Sequence, residues 1–250
     1  MVTAEETRRA DILCVDRLIA AVGELLKGQR VYAEVLAQHL VSNDSAYGST
    51  DGCHAAHHVM SPLSQAPEHQ GALWRGPQSG MIQTTATYCC FCTAQKEMGK
   101  DNLRKVPNGT NGVEDQMSVL WHHELRTGRL TPNEFVRVNS ASCAQISNIY
   151  SVKRSVQVGA DADIVVWDPE STRRIPAETH HQNIDFNIYA GREAQGLART
   201  TLGHGKVVWH DGDMRMARGA GRDVDRPCAP AYFEAAATRR ERQASTAVKH

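Results

Sequence analysis

The feature of this sequence that most limits its possible folds is a change of pattern near residue 155. Before it, apolar residues recur at helical spacing over residues 12–26, and residues 30–36 form a short β-prone run. After it, residues 162–169 predict a strand, and residues 199–212 predict two strands around a tight Gly-x-Gly turn. A helix followed by a strand favours parallel strands. We therefore predict an α/β part to about residue 150 and a β-rich part after it.

Local signals predict several further elements of the first part. Residues 81–92 are apolar and β-prone, which predicts a buried strand, and residues 43–53 and 61–80 are rich in Ser, Gly, Pro, Gln and Asn, which predicts loops. Thr131 and Pro132 are a favourable cap and first residue for a helix that continues to Ile146. Other predicted helical segments are 54–60, 94–99 and 117–125, and residues 230–250 predict a frayed helix or a disordered tail.

Composition excludes several classes of protein. With 28 Lys+Arg against 28 Asp+Glu and a pI near 7.2, the chain lacks the positive charge of a nucleic-acid or anionic-membrane binder. No stretch reaches the ~20 apolar residues of a membrane helix, and the first residues do not resemble a signal peptide. The seven cysteines are odd in number and do not resemble a secreted disulfide framework. We expect a soluble protein of the reducing cytosol.

Clusters of metal-ligating residues give only weak signals. His54, His57 and His58 could share a helical face, but no Glu lies among them to act as a base, so a structural role is favoured. Cys89, Cys90 and Cys92 alternate between strand faces, which favours buried, inert thiols. The adjacent pairs at 122–123 and 180–181 do not face one another on a helix. Spacing alone therefore predicts a soluble α/β protein without a complete catalytic constellation.

Several longer stretches are similar to one known family. They are residues 93–102 (TAQKEMGKDN), 107–118 (PNGTNGVEDQMS), 158–169 (VGADADIVVWDP), 179–183 (THHQN) and 205–208 (GKVV). These stretches resemble the dihydropyrimidinase/hydantoinase family of the amidohydrolase superfamily, which also includes the non-catalytic dihydropyrimidinase-related proteins. The likeness extends from about residue 30 to 235 and is dense between 93 and 212.

The resemblance implies a fold and a reaction. Residues 1–150 would form the last strands and helices of a metal-dependent amidohydrolase (β/α)8 barrel, 151–229 a portion of a β-sandwich, and 230–250 a C-terminal tail. The family's enzymes are cytoplasmic homotetramers of pyrimidine catabolism. Two zinc ions and a metal-bound hydroxide open the ring of 5,6-dihydropyrimidines or hydantoins.

The chain departs from the family at the metal site. It resembles the family only from about the sixth or seventh barrel strand, so the regions that carry the family's His-x-His pair, carboxylated lysine and two later metal histidines have no counterpart here. None of the twelve histidines is spaced as His-x-His. Thr87 stands where the family has its catalytic, metal-binding Asp, and a threonine hydroxyl is neither an anionic ligand nor a base near neutral pH. We expect no intact catalytic residue, no metal ligand and no zinc bound by this chain.

Two substrate-side residues keep their family counterparts. Ser61 and Asn108 match a Ser and an Asn whose backbone groups contact the amide edge of the ring, although both could merely shape loops. The leading hypothesis is a truncated, inactive dihydropyrimidinase-like chain that would take a small cyclic amide only if active. The alternatives are a non-catalytic scaffold of the dihydropyrimidinase-related type and a degraded gene product. Because two barrel strands cannot close a barrel, we expect a homo-oligomer or a hetero-oligomer with full-length relatives, and no nucleic-acid or membrane partner.

Overall fold

The computed structural model describes residues 11–15, 18–23, 32–89, 92–99, 102–150, 152–153, 156–176 and 180–226. The chain divides into two compact units, Met1–Tyr32 with Asp225–His250, and Ala33–Val224. The predicted tail at 230–250 and the predicted helix end at Gly28 lie outside the described residues. Among the described helices, none has both the length and the apolar composition needed to cross a bilayer.

The first unit contains a β-hairpin where the sequence predicted a helix. Strand β1 (Asp11–Val15) pairs antiparallel with β2 (Leu18–Gly23), with an irregular register after Leu13. The helix prediction for residues 12–26 was therefore wrong. The same apolar positions include several β-branched residues, which lose side-chain freedom in a helix and are favoured in strands.

The second unit begins with two parallel strands. Strand β3 (Glu34–Leu36) pairs parallel with β4 (Thr84–Ala86), with Glu34 opposite Thr84 and Leu36 opposite Ala86. Between them lie α1 (Ala37–Val41), a 3-10 helix (Asp44–Gly48), α2 (Gly52–His57) and α3 (Pro67–Ser79). The parallel pairing confirms the α/β class, although both strands are shorter than predicted.

Helix α3 contradicts the loop predicted for residues 61–80. Pro67 occupies the first turn, where its missing N–H costs no hydrogen bond, and Gly80 ends the helix with a left-handed φ of 75°. The anchor is Trp74, which is 2% exposed and donates its indole N–H to the Leu40 carbonyl oxygen (3.1 Å). The predicted loop at 43–53 likewise contains the 3-10 helix and the start of α2.

The helices predicted after β4 are confirmed. They are α4 (Thr93–Glu97), α5 (Gln116–Arg126), α6 (Pro132–Val136), a π-helical turn (Arg137–Ala141) and α7 (Ser142–Ile146). Helix α6 begins as predicted. The Thr131 hydroxyl accepts from the Glu134 N–H (3.3 Å), and the Glu134 carboxylate accepts from the Thr131 N–H (2.8 Å), which makes a capping box.

The second half forms one antiparallel sheet in the order β5-β6-β7-β8. Its strands are β5 (Ile164–Arg174), β6 (Glu193–Gly203), β7 (Lys206–His210) and β8 (Asp213–Met214). The predicted turn between β6 and β7 is confirmed, with positive φ at His204 (49°) and Gly205 (75°). Strand β5 continues past Pro169, where the sequence predicted its end, because a break in register between Asp168 and Thr172 accommodates the proline.

The helices pack against the sheet through aromatic rings. Trp121 on α5 contacts Phe135 and Trp167 edge to face at centroid distances of 5.0 and 5.5 Å. Gly196 makes this approach possible, because a Cβ there would lie 2.4 Å from Trp121 Cδ1. Other sheet residues stay exposed, among them Val165 (53%) and Val166 (51%).

Candidate functional site

The three site residues singled out from the sequence lie on connected segments of the second unit. Thr87 follows β4 directly, at the carboxyl end of a parallel strand, and Ser61 and Asn108 are exposed loop residues. The Gly109 N–H donates to the Val59 carbonyl oxygen (3.0 Å), and the Thr110 N–H donates to the Tyr88 carbonyl oxygen (2.6 Å). Backbone hydrogen bonds therefore join the three segments.

A buried lysine links two of these segments again. The Lys96 side chain is fully buried, and its ammonium donates to the carbonyl oxygens of Val59 (2.9 Å) and Pro107 (2.6 Å). These carbonyls lie two residues before Ser61 and one residue before Asn108. The sequence reasoning missed Lys96, because nothing in its local pattern distinguishes it from a surface lysine.

The histidines of α2 serve packing and hydrogen bonding. His57 stacks on Phe186 at a centroid distance of 3.7 Å, and its Nε2 lies 3.0 Å from the Thr93 hydroxyl and 3.5 Å from Cys53 Sγ. His58 Nδ1 donates to the His54 carbonyl oxygen (3.0 Å). Burial lowers the pKa of His57, and it lowers the pKa of His58 to about 4.

Cys89 belongs to a hydrogen-bonded cluster that connects the segment after β4 with Asn111 and with Gln182 in the connection between β5 and β6. Its thiol donates to Asn111 Oδ1 (3.2 Å) and to Gln182 Oε1 (3.7 Å), and the same Gln182 oxygen accepts from the Val113 N–H (3.2 Å). Cys89 is thus hydrogen-bonded and half-buried. Cys90 lies outside the described residues.

Asp115 forms a buried polar hub beside this cluster. Its carboxylate accepts from the Arg173 guanidinium (2.5 Å) and from the Asn187 amide (2.6 Å). Burial raises the pKa of Asp115, against the lowering effect of the Asn187 hydrogen bond and the Arg173 charge. The hub fixes the turn that starts α5 against β5.

A cavity of about 810 Å³ lies between this turn and the sheet. Its walls include Val113, Met117, Trp167 and Trp209. Glu114 and His181 also line it, and His181 Nδ1 lies 2.9 Å from Glu114 Oε1. Ser61, Thr87 and Asn108 do not line it, so the cavity is distinct from the predicted substrate-side loops.

Comparison with known proteins establishes the relationship. No family model matches the chain. Dihydropyrimidinase 2 of Caenorhabditis briggsae is 45% identical over 203 residues, which cover 80% of this chain and 39% of that protein. The crystal structure of dihydropyrimidinase from Brevibacillus agri NCHU1002 matches with a TM-score of 0.77 and 35% identity, covering 81% of this chain and 44% of that one. The chain belongs to the dihydropyrimidinase/hydantoinase family.

The chain is also similar to a relative that carries a different name. In each case the match covers only part of the relative's length. Dihydropyrimidinase-related protein 5 of Homo sapiens is 36% identical over 199 residues, which cover 79% of this chain and 35% of that protein. The chain thus spans 35–39% of the length of these two curated relatives.

The metal that membership of this family implies does not fit the residues that the structure describes. Across the described parts of the chain, no group of three or more His, Cys, Asp or Glu side chains is arranged to hold a metal ion. At the carboxyl end of β4, the side chain available at the predicted position is the neutral hydroxyl of Thr87, which is a poor zinc ligand. No reaction step through zinc is derived for these residues.

Proposed function

We propose that these 250 residues form a dihydropyrimidinase-like chain that binds the amide edge of a cyclic amide but does not hydrolyse it alone. In this proposal, residues 1–150 correspond to the last part of a (β/α)8 barrel, 151–229 to part of a β-sandwich, and 230–250 to a tail. The family reaction is zinc-dependent ring opening of 5,6-dihydropyrimidines or hydantoins. We further propose a cytoplasmic location.

One observation carries this proposal. The loops of Ser61 and Asn108 are held together by the Gly109–Val59 hydrogen bond, whereas the end of β4 beside them presents Thr87 in place of a carboxylate. The arrangement therefore supports ring recognition by backbone groups. A carboxylate that could bind metal or move a proton is missing from that strand end.

In this proposal, Ser61 and Asn108 orient the substrate. A cyclic amide offers an adjacent N–H donor and C=O acceptor, and a backbone pair on two fixed loops can match both at once. Because fixed partners lose little freedom on binding, the spacing of the two loops sets the affinity. Polarisation of the ring carbonyl and delivery of hydroxide would have to come from residues outside those described.

The test separates ring binding from ring opening. Purified chain is incubated with 5,6-dihydrouracil and zinc, and loss of dihydrouracil absorbance is followed with and without a chelator. Binding is measured by ligand-observed NMR, with 1,3-dimethyl-5,6-dihydrouracil as the matched ligand because methyl groups on both nitrogens remove every N–H donor of the ring. We expect binding of the unmethylated ring only and no turnover. Chelator-sensitive turnover, or equal binding of both rings, would contradict the proposal.

A second candidate function is non-catalytic assembly of the dihydropyrimidinase-related type. Two observations favour it: Thr87 at the strand end, and the exposed apolar residues Val165 and Val166 on β5, the edge strand of the four-stranded sheet. Among the described strands, β5 has no partner on its outer side, and such an edge favours addition of strands from another chain, either a second copy or a full-length relative. Sedimentation should then give a defined oligomer, alone or with a relative, and a stable monomer in both cases would reject assembly.

A further inference from the structure

Lys96 contacts both candidate substrate loops from a position inside the protein. We define the Ser61 loop as residues 59–64 and the Asn108 loop as residues 107–112. The Lys96 ammonium donates to the first carbonyl of each loop, that of Val59 at 2.9 Å and that of Pro107 at 2.6 Å. With 0% of its surface exposed, Lys96 cannot contact solvent or act as a surface charge.

Burying an ammonium group inside a protein costs free energy. Removing a charged amine from water is unfavourable unless hydrogen bonds compensate, whereas a methionine of similar length would fill the same space without that cost. The two carbonyl acceptors belong to different loops, separated from Lys96 by 37 and 11 positions in sequence. A donor placed here therefore ties together two segments that are far apart in sequence, in addition to the direct Gly109–Val59 hydrogen bond.

The backbone around Lys96 holds its side chain in this position. Helix α4 is capped at its start by Gln95 Oε1, which accepts from the Cys92 N–H (3.0 Å). Just after the helix, a Cβ on Gly99 would lie 2.3 Å from the Val106 nitrogen. Only a glycine permits this close approach, and the approach brings the chain before Pro107 against α4.

We propose that Lys96 is a positioning residue that sets the spacing of the Ser61 and Asn108 loops and so controls recognition of the amide edge of a cyclic amide. This inference rests on the proposed function of those loops. The Val59 carbonyl oxygen accepts from both the Lys96 ammonium and the Gly109 N–H (3.0 Å), so the lysine and the direct loop-to-loop hydrogen bond support each other. Without the ammonium, the Gly109–Val59 bond opens more often and the loop spacing varies.

The experiment compares Lys96→Met with Lys105→Met, which makes the same change at an exposed residue nearby. Amide hydrogen exchange is measured by NMR in the whole chain, together with 5,6-dihydrouracil binding. In Lys96→Met we expect exchange at the Gly109 amide to quicken about tenfold or more, while amides of β6 keep their rates. We expect dihydrouracil affinity to fall about tenfold or more, and Lys105→Met to match the parent chain in both measurements.

The outcomes distinguish this inference from the proposed function. Unchanged Gly109 exchange in folded Lys96→Met, or equal effects of both lysine variants, would overturn the role of Lys96. Failure of the parent chain to bind dihydrouracil would instead reject the proposed function, and Gly109 exchange would still decide whether Lys96 spaces the loops. Should Lys96→Met fail to fold, Lys96→Leu, which also lacks a donor, is measured in the same way, and parent-like exchange at Gly109 in that variant overturns the inference.

Discussion

Acidification should destabilise the protein through His58, the residue that precedes the Ser61 loop. His58 is 4% exposed, and burial lowers its pKa from 6.5 to about 4, assisted by the nearby charges of His54, Arg192 and His57. Because the folded state disfavours the charged form, the stabilising contribution is complete above pH 6.5 and is lost as the pH falls towards 4. His58 should therefore make the protein sensitive to acid in this window.

The magnitude follows from the shift in pKa. A difference of 6.5 minus about 4 is about 2.5 units, and each unit corresponds to about 1.36 kcal/mol, so the full loss is about 3.4 kcal/mol. At about pH 4.5 most of it is already lost, about 2.5 kcal/mol relative to about pH 7.5. This is a large share of the ~5–15 kcal/mol that stabilises a typical domain.

The assay is urea unfolding at about pH 7.5 and about pH 4.5 for the parent chain and for His58→Asn. Asparagine keeps a side-chain N–H for the His54 carbonyl but does not titrate. The variant should lose about 2.5 kcal/mol less than the parent between the two pH values. A difference between His58→Asn and the parent below about 0.5 kcal/mol would refute the reasoning.

Four other substitutions test the packing, the Asp115 hub and the strand end. Gly196→Ala should lower the free energy of unfolding by about 2–5 kcal/mol, because it combines a φ of 86° with a Cβ 2.4 Å from Trp121 Cδ1. The control is Gly212→Ala, which has a φ of 93° but no atom within 4 Å of the added Cβ. In the same urea titration it should lower the free energy of unfolding by about 1–2 kcal/mol. Asp115→Ala should cost about 1–3 kcal/mol in free energy of unfolding, because the Asn187 amide and the part-exposed Arg173 guanidinium lose their hydrogen-bond acceptor, and no measurable loss would show that this hub does not stabilise the fold. Thr87→Asp should not create a zinc site, because a single carboxylate lacks the three or four ligands that zinc needs; stoichiometric zinc in this variant by elemental analysis would reveal ligands outside the described residues.

The sequence predicted correctly those elements that depend on residues close together in the chain. The start of α6 depends on Thr131, Pro132 and Glu134, which are neighbours in sequence, and the β6–β7 turn depends on His204 and Gly205. Helix α3 was not predicted, because its stability comes from Trp74 reaching Leu40, 34 positions earlier in the chain. The hairpin at 11–23 was not predicted either, because its apolar residues fit helical spacing equally well.

Some residues of the candidate site could likewise be predicted from the sequence, and others could not. Ser61, Thr87 and Asn108 could be singled out because they occupy motifs similar to those of a known family. Lys96 could not, because its role depends on carbonyls brought close only by the fold. The Asp115 hub was equally hidden, since Arg173 lies 58 positions away and on a different element.

The central proposal is that the described part of this chain keeps the substrate-side loops of its family without a metal site. Its most direct test is the zinc content of the folded, purified chain by elemental analysis, with folding verified by a cooperative melt. We expect far less than one zinc ion per chain together with a cooperative melt. About two tightly bound zinc ions per chain, as in a two-metal hydrolytic site, would contradict the account.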